Sequence, residues 1–122
     1  MNTKVLISLG APEDQAWINL NETSIVRLVQ DLGLDGVDID YEPPVPGCVQ
    51  QDGDVSCKTD ALYIHIIQRL RAALPRPYPL TVAAWSIEAY GQGNYQDSLP
   101  KGNYTGLSVN MLRQAGKDLY LQ

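Results

Sequence analysis

Basic side chains are scarce in this sequence: 122 residues carry 9 lysines and arginines against 14 aspartates and glutamates, a formal net charge of −5. Nucleic acid and anionic membranes are bound through clustered Lys and Arg, so both partner classes are disfavoured, whereas a neutral polysaccharide stays compatible. Long apolar runs are missing too. Nothing approaches the ~18 consecutive apolar residues of a membrane-spanning helix, and Met1–Asn2–Thr3–Lys4 is not followed by the apolar segment and cleavage site of a secretory leader. The single histidine, His65, has no neighbour in sequence that would orient it, so it reads as a surface or boundary residue rather than a base. Only two cysteines occur, Cys48 and Cys57, both in one polar stretch rich in Pro and Gly. Oxidised, they would close a small loop; the other reading is two free thiols.

What the sequence does have is acid in a row. In Asp35–Gly36–Val37–Asp38–Ile39–Asp40–Tyr41–Glu42 a carboxylate recurs at every second position of an apolar stretch. Successive side chains of a strand point to opposite sides, so Asp38, Asp40 and Glu42 share one face, Val37, Ile39 and Tyr41 share the other, and Asp35 stays outside the row. Like charges about 7 Å apart or less repel and lose hydration, so stability does not explain them. A solvated edge-strand face and a Mg²⁺ or Ca²⁺ site are the plainer explanations. Asp35–Gly36 before the row and Pro43–Pro44 after it favour chemistry, because the strand enters from a tight turn and stops beside its last carboxylate, where a catalytic acid fits.

Around this stretch the chain alternates. Val5 to Leu9 is a continuous apolar run suited to a buried parallel strand, followed by a loop that carries Trp17. Ile25, Leu28, Val29 and Leu32 repeat at helical spacing, with Asn21 or Thr23 to cap the start and Gly33 to close the end. Pro43 to Lys58 shows neither period and reads as a long loop. Asp60 opens a helix with the stripe Leu62, Ile66, Ile67, Leu70 and Leu74, stopped by Pro75. Leu80 to Trp85 is the third strand. The loop from Ser86 to Thr105 holds Tyr90, Tyr95 and Tyr104, a composition that suits a sugar-contacting rim and an ordinary surface loop equally. Leu107, Met111 and Ala115 mark a last helix, and Asp118 to Gln122 begins a fourth strand. The expected fold class is α/β, with four parallel strands alternating with three helices in right-handed βαβ units. Asn21–Glu22–Thr23 and Asn103–Tyr104–Thr105 are N-glycosylation acceptor patterns and lean towards an extracellular, secreted protein.

Asp35, Gly36, Asp38, Asp40 and Glu42 also resemble, at every fixed position, the D-G-x-D-x-D-x-E signature of glycoside hydrolase family 18, the chitinases and their relatives. Lys4 to Gly10 resembles that family's S-x-G-G strand end, with Ala11 in place of the second glycine. The resemblance implies a (β/α)₈ TIM barrel, which takes about 250 residues, so residues 1–122 would be a partial barrel: one catalytic domain truncated at both ends, with the rest of the barrel as its missing partner. It implies a glycosidase hydrolysing β-1,4-linked N-acetylglucosamine polymers such as chitin by a substrate-assisted retaining mechanism. Glu42 would be the general acid, with the neighbouring Asp40 supplying the like charge and shared proton. The substrate's N-acetyl oxygen would attack, Asp40 would orient and stabilise the acetamido group, and Asp38 would support Asp40. No metal and no cofactor is implied. Ser8, Gly10, Trp85 and Tyr90 are the expected substrate-binding residues. The family also uses a tyrosine in an M-x-Y-D pattern and a tryptophan near the barrel's end; the sequence holds neither, so the isolated piece is expected to be inactive. The competing readings are a non-catalytic, lectin-like carbohydrate-binding relative and a peptidoglycan- or N-glycan-cleaving relative.

Overall fold

The computed structural model describes residues 2–119. In chain order it contains β1 (Leu6–Gly10), α1 (Asp14–Ile18), α2 (Glu22–Asp31), β2 (Gly36–Asp40), β3 (Val49–Gln51), β4 (Asp54–Ser56), α3 (Asp60–Ala73), β5 (Leu80–Val82) and α4 (Val109–Ala115). Strands β1, β2 and β5 form a parallel three-stranded sheet in that order, and β3 pairs with β4 in a separate antiparallel hairpin. No helix among the described residues is long and apolar enough to cross a membrane.

The alternation in β2 decides how the sheet is used. Val37 and Ile39 are fully buried and lie level with Ile7 and Leu9 on one side and Leu80 and Val82 on the other. This apolar face joins Tyr63, Ile66, Ile67 and Leu70 of α3, Val29 of α2, and Leu107 and Met111 at α4 in one core. Burying one such side chain contributes about 1.5–3 kcal/mol, so a period-2 pattern is enough to choose the face that meets the helices. The opposite face carries Ser8, Asp38, Asp40 and Thr81, none of them buried.

The entry to β2 needs Gly36 for a steric reason rather than a conformational one. A Cβ built there would lie 2.1 Å from the Pro79 carbonyl oxygen, the same oxygen that accepts the Val37 N–H at 3.1 Å. Asp35 clamps the adjacent end of β1: its carboxylate accepts the Val5 N–H at 2.8 Å and pairs with Lys4 Nζ at 3.2 Å. The first of these bonds, aided by the lysine, holds its carboxyl below the usual value. Helix α2 is capped by the Asn21 side chain, which accepts the Ser24 N–H, and Glu22 reaches Arg69 on α3.

Four expectations change. The segment carrying Trp17 is the short helix α1, and its indole is 2% exposed, edge-on to Tyr41 at 5.5 Å between ring centroids. The stretch from Pro43 to Lys58 contains the hairpin β3–β4, turned by Asp52 (φ 53°) and Gly53 (φ 80°), the left-handed pair that a two-residue hairpin turn demands. The third strand stops at Val82, because Ser86–Ala89 coil into a 3₁₀ turn that begins immediately after Trp85. Asp118 belongs to a 3₁₀ turn at Gly116–Asp118 with Leu119 buried behind it, not to a fourth strand, and residues 120–122 of that expected strand lie outside the described residues. The described residues therefore form a mixed α/β fold with a small parallel sheet and no closed barrel. Cys48 and Cys57 are disulfide-bonded and tie the two ends of the hairpin together, with Cα atoms 3.9 Å apart.

Candidate active site

The carboxylates of β2 acquire different partners because the register hands each a different neighbour. Asp38 lies level with Ser8 on β1 and Thr81 on β5. Both hydroxyls donate to it, Ser8 Oγ to Oδ2 at 3.1 Å and Thr81 Oγ1 to Oδ1 at 2.5 Å. Its two oxygens are thus each engaged by a donor, which holds the carboxyl group in one orientation. Asp40 lies level with Gly10, whose missing side chain leaves room beside it; a Cβ there would sit 3.5 Å from Asp40 Oδ2. Partial burial, with the like charges of Glu42 and Asp38 added, pushes the Asp40 carboxyl above its ordinary value.

Beyond the strand, Tyr41 turns inwards and is 1% exposed, donating its hydroxyl to Asp14 Oδ1 at 3.1 Å, and Glu42 emerges on the open side. There Glu42 Oε1 accepts the indole N–H of Trp85 at 2.8 Å. Trp85 is 60% exposed, so its ring face remains free while its N–H is spent on the carboxylate. Behind it, Glu88 is 1% exposed and accepts from the Trp85 backbone N–H at 3.1 Å and from Ser108 Oγ at 2.5 Å. Burial pushes the Glu88 carboxyl up, against the pull of these two hydrogen bonds.

Gly10, Ala11, Pro12, Asp40, Glu42, Pro44 and Tyr104 line a cleft of ≈ 390 Å³. Neither family models nor curated proteins match this chain. The cleft has the size of a small-ligand site, with two carboxyl groups on one wall and a tyrosine on another. Ala11 adopts no left-handed backbone, so replacing a glycine there carries no conformational penalty, and its carbonyl accepts the Trp17 indole N–H at 3.3 Å.

Of the residues expected at the site, Asp40, Glu42 and Gly10 meet in the cleft, Trp85 stands against Glu42, and Asp38 lies one row deeper in the strand. Ser8 is engaged by Asp38 and borders a different hollow, beside Trp17. Tyr90 is half-buried and does not line the cleft; Tyr104, from the same loop, does, with its hydroxyl donating to the Pro43 carbonyl at 3.1 Å. Glu88 was not visible as a site residue, because a lone glutamate in a polar loop carries no periodicity. Among the described residues no group of three or more His, Cys, Asp or Glu side chains is disposed to hold a metal ion. His65 is exposed on α3, away from the acidic row in sequence and on the helical layer.

Proposed function

We propose that this chain is part of a glycoside hydrolase of the family 18 type, cleaving β-1,4-linked N-acetylglucosamine chains with retention and substrate assistance. The observation that carries the reading is the division of labour within one row of carboxylates. Asp38 is fixed by two hydroxyl donors, Asp40 is pushed towards its protonated form, and Glu42 faces the open cleft. Glycosidic cleavage needs a proton on the leaving oxygen and stabilisation of the anomeric carbon. Glu42 protonates the leaving oxygen. The substrate's acetamido oxygen attacks the anomeric carbon, while Asp40 accepts the acetamido N–H and stabilises the resulting oxazolinium; water then opens that ring with Glu42 acting as base. Asp38 ties β2 to the strands on either side through Ser8 and Thr81, and its like charge adds to the pressure that favours a proton on Asp40. Trp85 offers an exposed ring face beside the acid for a sugar to stack on.

The partial-barrel reading draws support from the sheet that carries this row. A parallel sheet in sequential strand order, with an apolar face against helices and a polar face opposite, is the arrangement of an arc of a (β/α)₈ wall, where catalytic groups cluster at the strands' C-terminal ends. The disulfide agrees with an oxidising, extracellular setting.

The test is Glu42→Gln in the complete barrel that this reading requires. Turnover of an aryl chitobioside and of polymeric chitin should fall at least about 10²-fold, the scale of general acid catalysis, with oligosaccharide binding retained. Near-parental turnover of the polymer by the variant would sink the assignment, and tight oligosaccharide binding with no turnover by the parent would favour the lectin-like reading.

A further inference from the structure

Glu88 is a carboxylate at 1% exposure in a loop that is otherwise largely polar and open, and a buried carboxylate is costly unless its oxygens are engaged. Both are engaged, and by groups that matter to the site. Oε1 takes the backbone N–H of Trp85, and Oε2 takes the hydroxyl of Ser108 at the start of α4. The backbone repeats the link: Ser108 N–H donates to the Glu88 carbonyl at 3.2 Å, and Gly106 N–H to the Ile87 carbonyl at 3.1 Å. The 3₁₀ turn that presents Trp85 is thereby stitched to the α4 end of the molecule. Trp85 in turn spends its indole N–H on Glu42.

We infer that Glu88 is a positioning residue: it fixes the turn that carries Trp85, and so the orientation of the indole that holds Glu42 in the cleft. This deepens the glycosidase reading and rests on it for the role of Glu42, but the link from Glu88 through Trp85 to Glu42 stands on the hydrogen bonds alone. A long carboxylic side chain at the rim of an open cleft has many rotamers, and only a small fraction of them present its proton to a leaving oxygen. A donor anchored from behind selects that fraction, and misplacement of a reacting group by about 1 Å costs on the order of 10²-fold in rate. The groups facing Glu88 are Glu42 and Asp40 from the end of β2, the Tyr63 phenol from α3 and the Ser108 hydroxyl from α4. Glutamine at this position keeps an acceptor for the Trp85 N–H, and its amide can donate to the Ser108 oxygen, which rotates to accept; alanine removes both anchors.

The experiment reads Trp85 directly. In the 122-residue chain with Trp17→Phe, Trp85 is the sole tryptophan, and its emission is followed as pH is lowered through the carboxyl range, about pH 6 to 3. The parent should show an acid transition that Glu42→Gln abolishes, which assigns it to the indole–carboxylate contact. Glu88→Gln should retain the transition. Glu88→Ala should lose at least about two-thirds of its amplitude and increase acrylamide quenching of Trp85, while in the complete barrel the same substitution lowers kcat on an aryl chitobioside at least about 10-fold with KM within about twofold. Ser108→Ala, which keeps the Trp85 anchor but frees the other oxygen, should fall between parent and alanine, and it carries the test if Glu88→Ala does not fold. An acid transition of parental amplitude in Glu88→Ala, or in Ser108→Ala where that variant stands in, would overturn the inference. Absence of turnover in the parental complete barrel would instead overturn the glycosidase reading, with the fluorescence result on the 122-residue chain still deciding the role of Glu88.

Discussion

At the level of single residues, the acidic row shows how identical chemistry is divided by environment. Asp38 is satisfied by two hydroxyls, whereas Asp40 has its charged form opposed by burial and by its neighbours' charges. A carboxyl whose folded-state value is raised contributes stability that is fully present below its unfolded value, near pH 4, and lost as pH rises through the folded value. At neutral pH the charged Asp40 therefore works against the fold. Asp40→Asn should raise the thermal midpoint at pH 7 and leave it unchanged below about pH 4, while lowering turnover at least about 10-fold. Thermal scans from pH 3 to 8 check the first part; a midpoint that falls at neutral pH would show that Asp40 is a structural anion instead. A gain in stability with a loss of activity is the signature of a site under electrostatic strain.

Elements depend on a few close approaches. Gly36 lets β2 pass the Pro79 carbonyl, and an added methyl would meet that oxygen at 2.1 Å. Since the oxygen belongs to backbone and is hydrogen-bonded to Val37, it cannot swing aside as a side chain would. Gly36→Ala should cost ~3 kcal/mol or more in urea unfolding, at the upper end of overpacking penalties. The hairpin β3–β4 has only short strands and a single buried side chain, Val55, so its persistence rests on the Cys48–Cys57 bridge and on Gln50, whose amide donates to the Gly91 and Gln96 carbonyls. The closed loop spans a separation of 9 residues, and removing the bridge by Cys48→Ala/Cys57→Ala should cost about 2–3 kcal/mol. Hydrogen exchange should show that loss first in residues 49–56 and hardly at all in β2.

For the molecule as a whole, the sheet's order among the described residues leaves β1 and β5 as edges with no strand paired outside them. Val5 beside β1 is 54% exposed, and Ile18 and Leu32 in the helical layer are 51% and 62% exposed. Edges of this kind recruit other strands unless they are covered or charged. The 122-residue chain on its own should therefore self-associate and show no more than trace chitobiosidase activity. Light scattering coupled to gel filtration, with a fluorogenic assay of each fraction, tests both; a monodisperse monomer with full turnover would contradict them.

The strand period, read from sequence, determined which of residues 37–42 enter the core and which stay on the polar face, because side-chain alternation is set by local backbone sterics and burial only selects between two faces. The same locality made the Asn21 cap and the α3 stripe legible. The hairpin was not read from the sequence, because the prolines and glycines around Asp52–Gly53 mask a signal carried by three-residue strands. Only the tertiary structure decided what each carboxylate touches. Asp38 meets Ser8 across 30 residues and Thr81 across 43, and Glu42 meets Trp85 across 43. It also decided that Tyr104 rather than Tyr90 lines the cleft, and that Glu88 is buried behind Trp85. Hydrogen-bond partners and burial in a loop come from segments distant in the chain, and no local period encodes them.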